Sequence, residues 1–200
     1  GSDAVFDALV RRAGVVRVNT ILQLFSCAQA LSTHIKPTGN RLAIITNGGG
    51  PGVMATDRAV DLGVKIAELS PTTVTRLNEV LPASWSHGNP VDIIGDAPAE
   101  RYLHAVDACL KDDNVDGALV MLTPQAMSRP TEAADAVIEV AKNSSKPVIT
   151  CWMGQAQVVE GRQHFKAAGI PYFTTPEPAV EVFSYLSAFY ENQRQLMQTP

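Results

Sequence analysis

Four of the five residues Gly48–Gly52 are glycine, within the run Thr46-Asn47-Gly48-Gly49-Gly50-Pro51-Gly52. Absent Cβ atoms let a backbone come close to a ligand, and a helix opening there adds unpaired N–H groups and a partial positive end. That is the chemistry of an anion or phosphate seat. The same composition also serves a tight strand-to-helix turn that binds nothing. A further reading is a dinucleotide-binding module, because Gly50-Pro51-Gly52-Val53-Met54-Ala55 fits G-x-G-x-x-A. Glu68, roughly 20 residues on, would then be the ribose-binding acid. No Lys-Ser or Lys-Thr closes the turn, so a nucleoside-triphosphate P-loop is not written here.

A second cluster is Ser86-His87-Gly88-Asn89-Pro90-Val91-Asp92, with Gly95-Asp96 close behind. His87 could donate to an acyl or phosphate oxygen, or be an exposed loop residue. Asp92 lies in an apolar run and needs a partner if buried. Thr123-Pro124-Gln125 and Trp152-Met153-Gly154 each follow an apolar run and suit ligand contacts at strand ends, although Trp152 equally suits the core. The rest of the inventory is thin. There is no G-x-S-x-G elbow, and the histidines at 34, 87, 104 and 164 make no metal spacing. No catalytic residue and no metal site is assigned.

The elements that must hold these clusters follow from periodicity. Leu42–Ile45 and Ala118–Leu122 are short, wholly apolar runs; Val64–Leu69, Val91–Ile94, Val148–Cys151 and Tyr172–Thr174 are weaker ones. Such runs suit strands buried on both faces of a parallel sheet. Helical patterns lie between them at Gly52–Leu62, Pro71–Leu81, Ala99–Leu110, Thr131–Ala141 and Val158–Ala168, and a last one spans Ala179–Leu196. Ser70-Pro71 and Asp96 provide start signals, and Gly63 and Gly169 provide stops. Ahead of the sheet, Ser2 or Asp3 opens one helix, Val15–Val18 is extended, and Asn19 or Thr20 caps Ile21–Leu31. His34–Asn40 reads as a linker. The expected fold is α/β: a flavodoxin-like, doubly wound parallel sheet with a helical N-terminal lead-in.

Composition bounds the partners. The 200 residues carry 16 Lys plus Arg against 20 Asp plus Glu, a net charge of −4, with 46% apolar and 6% aromatic residues. That balance lacks the charge and stacking surface for bulk nucleic-acid binding. The longest run without a polar side chain, Gly48–Ala55, is far short of the ~20 residues of a membrane helix. Three cysteines cannot pair off evenly, which suits buried thiols in a reducing cytoplasm. A first residue other than Met fits a piece of a longer protein.

Residues 41–188 resemble the third flavodoxin-like domain of the NDP-forming acyl-CoA synthetases, and more distantly the C-terminal domain of the succinyl-CoA synthetase β subunit. The stretches that carry this are Ile45–Asp57 (ITNGGGPGVMATD), Gly88–Tyr102 (GNPVDIIGDAPAERY), Asn114–Pro124 (NVDGALVMLTP) and Gly161–Thr175 (GRQHFKAAGIPYFTT). The resemblance implies three parts: 1–40 as lead-in and linker from a preceding domain, 41–190 as the flavodoxin-like domain, and 191–200 as a connection toward an ATP-grasp domain. It implies a parent that interconverts acyl-CoA, NDP and phosphate with acid, CoA and NTP through a phosphohistidine, using CoA, ATP or ADP and Mg. No cofactor is expected in this chain alone. Asn47, Gly48, Gly49, Gly50 and Gly52 would cradle phosphate, while Asn89, Asp92, Thr123 and Gln125 would line the acyl-acid and phosphate site. Neighbouring CoA-binding, phosphohistidine and ATP-grasp domains would be the partners. The same domains also occur in bacterial Pat-type protein lysine acetyltransferases, fused to a GNAT module, where they are regulatory.

Overall fold

The computed structural model describes residues 2–32 and 36–198, so His34 of the expected linker lies outside the described residues. The centre of the fold is three parallel strands: β1 (Arg41–Thr46), β4 (Gly117–Leu122) and β5 (Val148–Trp152). Every residue in them is buried except Arg41. Side chains alternate between faces along each strand. Ala43 and Ile45 of β1 therefore join one apolar cluster, and Leu42 and Ile44 join the other.

Helices cover both faces. On one side lie α4 (Pro71–Val80), α5 (Ala99–Leu110), α6 (Pro130–Lys142) and α7 (Val159–Ala167), in sequential contact. On the other lie α3 (Gly49–Asp61) and α8 (Pro176–Gln198), which bury Ala55, Ala59, Val180, Phe183 and Leu186 against the sheet. The sheet is completed by β2 (Lys65–Ile66), β3 (Val91–Asp92) and β6 (Tyr172–Phe173). Its order is β2-β1-β4-β5-β6, with β3 also paired to β1. The expected doubly wound, flavodoxin-like architecture is present.

The lane beside β1 departs from the expected strands Val64–Leu69 and Val91–Ile94. Two short pieces share it end to end: β2 pairs with Arg41 and Leu42, and β3 pairs with Ile45 and Thr46. Between them the chain leaves to make α4. The gap is filled by the side chain of Asn89, which accepts the Ile44 N–H at 2.9 Å and donates to the Leu42 carbonyl at 2.8 Å and the Ala67 carbonyl at 2.9 Å.

Local signals behave unevenly. Ser70 caps α4 by accepting the Thr73 N–H, and Gly63 and Gly169 adopt the left-handed conformation (φ +71°) just past α3 and α7. Asp96 does not cap α5. Pro98 occupies that position, and the Asp96 carboxylate instead pairs with Arg101 at 2.7 Å. The chain also opens α3 at Gly49, three residues ahead of the expected Gly52.

Ahead of the sheet lie α1 (Asp3–Arg12) and α2 (Ile21–Leu31). Thr20 and Gln23 form a reciprocal capping box on α2, which docks on α8 through buried Cys27 and Ala30. Val15–Val18 joins no sheet. Among the described residues no helix is long and apolar enough to cross a membrane.

Candidate functional site

Because α3 leaves β1 toward one face and α6 leaves β4 toward the other, the carboxyl ends of β1 and β4 diverge into a crevice. Open α/β sheets bind ligands at such a switch point. Asn47 and Thr123 sit at these two strand ends, and their bonds cross the crevice. Asn47 Oδ1 accepts the Thr123 N–H at 2.7 Å, and its Nδ2 donates to the Thr123 carbonyl at 2.9 Å and the Gly95 carbonyl at 3.4 Å. Asn47 is 2% exposed. Its amide is therefore spent on fastening the two strands, so it positions the crevice rather than offering a free group to a ligand.

Beyond Asn47 the glycine turn divides into two halves. Thr46 Oγ1 accepts the Gly48 N–H at 3.0 Å and donates to the Gly48 carbonyl at 2.9 Å. A methyl group at Gly48 would stand 3.1 Å from Thr123 Oγ1, and one at Gly52 would stand 3.1 Å from Thr46 Cγ2. Both positions are closed by packing. At Gly50, by contrast, nothing lies within 4 Å of where a Cβ would be. No side chain caps α3, and Pro51 has no N–H. The free donors at the helix end are thus the N–H groups of Gly49 and Gly50, pointing out of the first turn with the helix dipole behind them.

Two acceptor-bearing side chains adjoin these donors. Asp92, at the end of β3, places Oδ2 3.4 Å from the Cβ position of Gly49, while Oδ1 accepts the Ile94 N–H at 2.9 Å. Thr123 Oγ1 is fully buried and has no hydrogen-bond partner. A buried hydroxyl left unpaired costs free energy, so it favours any ligand atom that reaches it. Gln125 is exposed, with its amide lying over Gly95. The seat is shallow. Deeper clefts, such as the one of about 310 Å³ beside Asn40, Ser187 and Arg194, lie at the opposite edge of the sheet.

Asn47, Gly48, Gly49, Gly50, Gly52, Asp92, Thr123 and Gln125 therefore come together at the switch point. Asn89 stands behind them as the plug of the split lane, its amide oxygen and both amide hydrogens bonded to backbone. His87 does not face the seat with a free nitrogen: one ring nitrogen meets Asn78 Oδ1 at 3.1 Å and the other the Ala83 carbonyl at 2.9 Å. Trp152 is fully buried and donates to the Pro130 carbonyl at 3.0 Å. The dinucleotide reading fails on position. Because β2 stops opposite Leu42, Glu68 leaves the sheet before the carboxyl end of β1, and its carbonyl accepts from Asn114, ahead of β4, at 3.1 Å.

Sequence reasoning passed over three residues that shape this edge. Thr46 closes the turn onto Gly48. Arg101 holds the β3 loop by donating to the Ile93 carbonyl at 3.0 Å as well as to Asp96. Arg162 clamps the end of β5 through the carbonyls of Trp152 and Gly154. A lone arginine in a helical pattern carries no local mark of such a role.

Comparison with known proteins agrees with this geometry. Residues 42–198 match the family described as Ligase-CoA domain. The chain is 39% identical over 189 residues to the ADP-forming acetate–CoA ligase I of Archaeoglobus fulgidus, covering 94% of this chain and 26% of that one. It is 32% identical over 189 residues to the ADP-forming 4-hydroxybutyrate–CoA ligase of Nitrosopumilus maritimus, covering 94% and 27%. A solved structure of the dinucleotide forming acetyl-coenzyme A synthetase 1 of Ca. Korarchaeum cryptofilum, in complex with phosphate and ADP, superposes with a TM-score of 0.91. That structure is 30% identical, and the match covers 99% of this chain and 43% of that one. These relatives are archaeal rather than bacterial. The chain spans about a quarter of the curated relatives' length.

Proposed function

The chain belongs to the Ligase-CoA domain family, as a domain of proteins like the ADP-forming acetyl-CoA synthetases, and we propose that it supplies one wall of the phosphate and acyl-acid site of such a ligase. The observation that carries this is the open amino end of α3. The N–H groups of Gly49 and Gly50 have no partner among the described residues, and a Cβ added at Gly50 would enter open space.

Those donors and the orphan Thr123 hydroxyl suit a phosphoryl or carboxylate oxygen. A helix end contributes about 0.3–1 kcal/mol toward an exposed anion, while millimolar affinity already corresponds to about 4.1 kcal/mol. One wall is too little for tight binding. A second set of donors from another domain of the parent completes the reading. The parent, a cytoplasmic enzyme, would use CoA, ATP or ADP, and Mg, held by its other domains. The ligase reading is preferred over a regulatory role in an acetyltransferase because the relatives named above are CoA ligases and a CoA synthetase.

The test is acyl-CoA formation from acid, CoA and ATP, with ADP and phosphate released, by the longer parent polypeptide. The parent is expected to turn over and the 200-residue chain alone to give none. Multiple turnovers by the chain alone would contradict the proposal, as would a parent that makes no acyl-CoA from any of a panel of short and aromatic acids.

A further inference from the structure

Two helices present mostly exposed apolar side chains, with the Arg17 guanidinium lying 5.3 Å from the centre of the Phe6 ring. Val5, Phe6 and Leu9 of α1, and Ile21, Leu22 and Phe25 of α2, are between 54% and 74% exposed. Single exposed apolar residues are ordinary, whereas a stripe at helical spacing is a contact face. The inner side of α2 is already satisfied: Cys27 and Ala30 are buried on α8, and Gln23 donates to Glu181 of α8 at 3.1 Å. Its outer side is therefore free while its position is fixed. The acidic residues of α1 are paired within the chain, Asp3 to Arg17 at 2.7 Å and Asp7 to Arg11 at 2.9 Å. That leaves the stripe without the block of unpaired positive charge an anionic membrane surface would select.

We propose that the outer faces of α1 and α2 are a docking surface for a further domain of the same parent polypeptide, one that offers an apolar helical face. The extent of the similarities selects this occupant. The family match begins at residue 42, so both helices lie outside the Ligase-CoA domain. The similarity to the Ca. Korarchaeum cryptofilum structure nevertheless covers 99% of the chain and so takes in both helices. The Archaeoglobus fulgidus ligase is about three and a half times as long as this chain, because a match over 189 residues covers 26% of it. The helices thus travel with the extra chain, and the extra chain is what can bury them. The proposal rests on the reading of this chain as a domain of such a parent. It goes beyond that reading in assigning the surface.

The experiment places a photo-crosslinking benzophenone amino acid at Leu22 or Leu9 of the full parent polypeptide, with Glu139 on the opposite face as the reference position. Cross-linked peptides are then mapped in a mixture of isotopically light and heavy protein. The expected result is a strong light–light and heavy–heavy link from Leu22 and Leu9 to a segment outside these 200 residues, and at most a trace from Glu139. Links confined to residues 1–200, equal yields from Glu139, or mixed light–heavy pairs that reveal a second copy would overturn it. A parent that gives the link but forms no acyl-CoA would sink the ligase reading and leave the docking surface standing. A working ligase without the link would do the reverse.

Discussion

The side-chain oxygen of Asn89 accepts the backbone N–H of Ile44 at 2.9 Å, so that a side chain completes the sheet edge where no strand residue does. Ile44 is fully buried in the centre of β1. Replacing Asn89 by Leu would leave that N–H and the Ala67 carbonyl without partners, while the Leu42 carbonyl keeps the Ala67 N–H at 2.9 Å. The expected loss is about 1–3 kcal/mol for each buried group left unsatisfied, read as a lower urea midpoint. A midpoint unchanged within a few tenths of a kcal/mol would show that the lane does not depend on the plug.

Asn47 is the corresponding fastener at the switch point. Asn47→Ala removes its bonds to Thr123 and Gly95 and lets the ends of β1 and β4 part. Stability should fall by about 1–3 kcal/mol. Phosphate-induced amide shifts at Gly49 and Gly50 should shrink even in the fraction that remains folded. Equal shifts in both proteins would make Asn47 irrelevant to the seat.

At the opposite edge, Asp116 accepts from the Arg41 side chain at 2.8 and 2.9 Å, from the Arg41 N–H at 2.9 Å and from Thr38 at 3.0 Å. Burial alone would raise its pKa, but these hydrogen bonds outweigh burial and hold the carboxyl below the ordinary Asp value. A depressed folded pKa means stability that is present above the unfolded value, about 3.9, and lost as pH falls through the folded one. Asp116→Asn should therefore destabilise the chain at neutral pH and flatten the acid limb of its stability–pH curve. Parallel curves for the two proteins would contradict this.

All three cysteines are free and buried. Burial pushes the thiols of Cys109 and Cys151 up to about 12. Thiolate is the reactive form, so a thiol reagent at about pH 8 should label none of the three in the folded chain and all three in denaturant. Rapid labelling of Cys109 or Cys151 in the native state would contradict the burial.

Much of this architecture was legible in residue patterns because the central strands are continuous apolar runs and the helices between them are amphipathic. The split lane was not. Whether Val64–Leu69 pairs along its full length depends on Asn89, a residue more than 20 positions away, taking over the ladder at Ile44. The site shows the same limit. The glycine run pointed to a close backbone approach, and the fold separates its members: Gly48 and Gly52 pack against Thr123 and Thr46, while Gly50 borders open space. The family resemblance marks Asn47 and Asn89 as site residues, and the residue pattern leaves His87 open between an oxygen donor and an exposed loop residue. Their partners turned out to be backbone carbonyls, N–H groups and another side-chain amide, brought in by the fold.

The most direct measurement of the proposed phosphate seat is a titration of this chain with inorganic phosphate, followed by amide NMR. Gly50→Asp serves as the paired variant, since its side chain enters open space and brings a carboxylate that repels an anion at this helix end. The account predicts saturable shifts centred on Gly49 and Gly50, a dissociation constant roughly in the millimolar range, and no saturable shift in the variant. Amides of Gly48–Met54 that stay still while others move, or a variant that binds as well as the original chain, would show the turn to be structural alone.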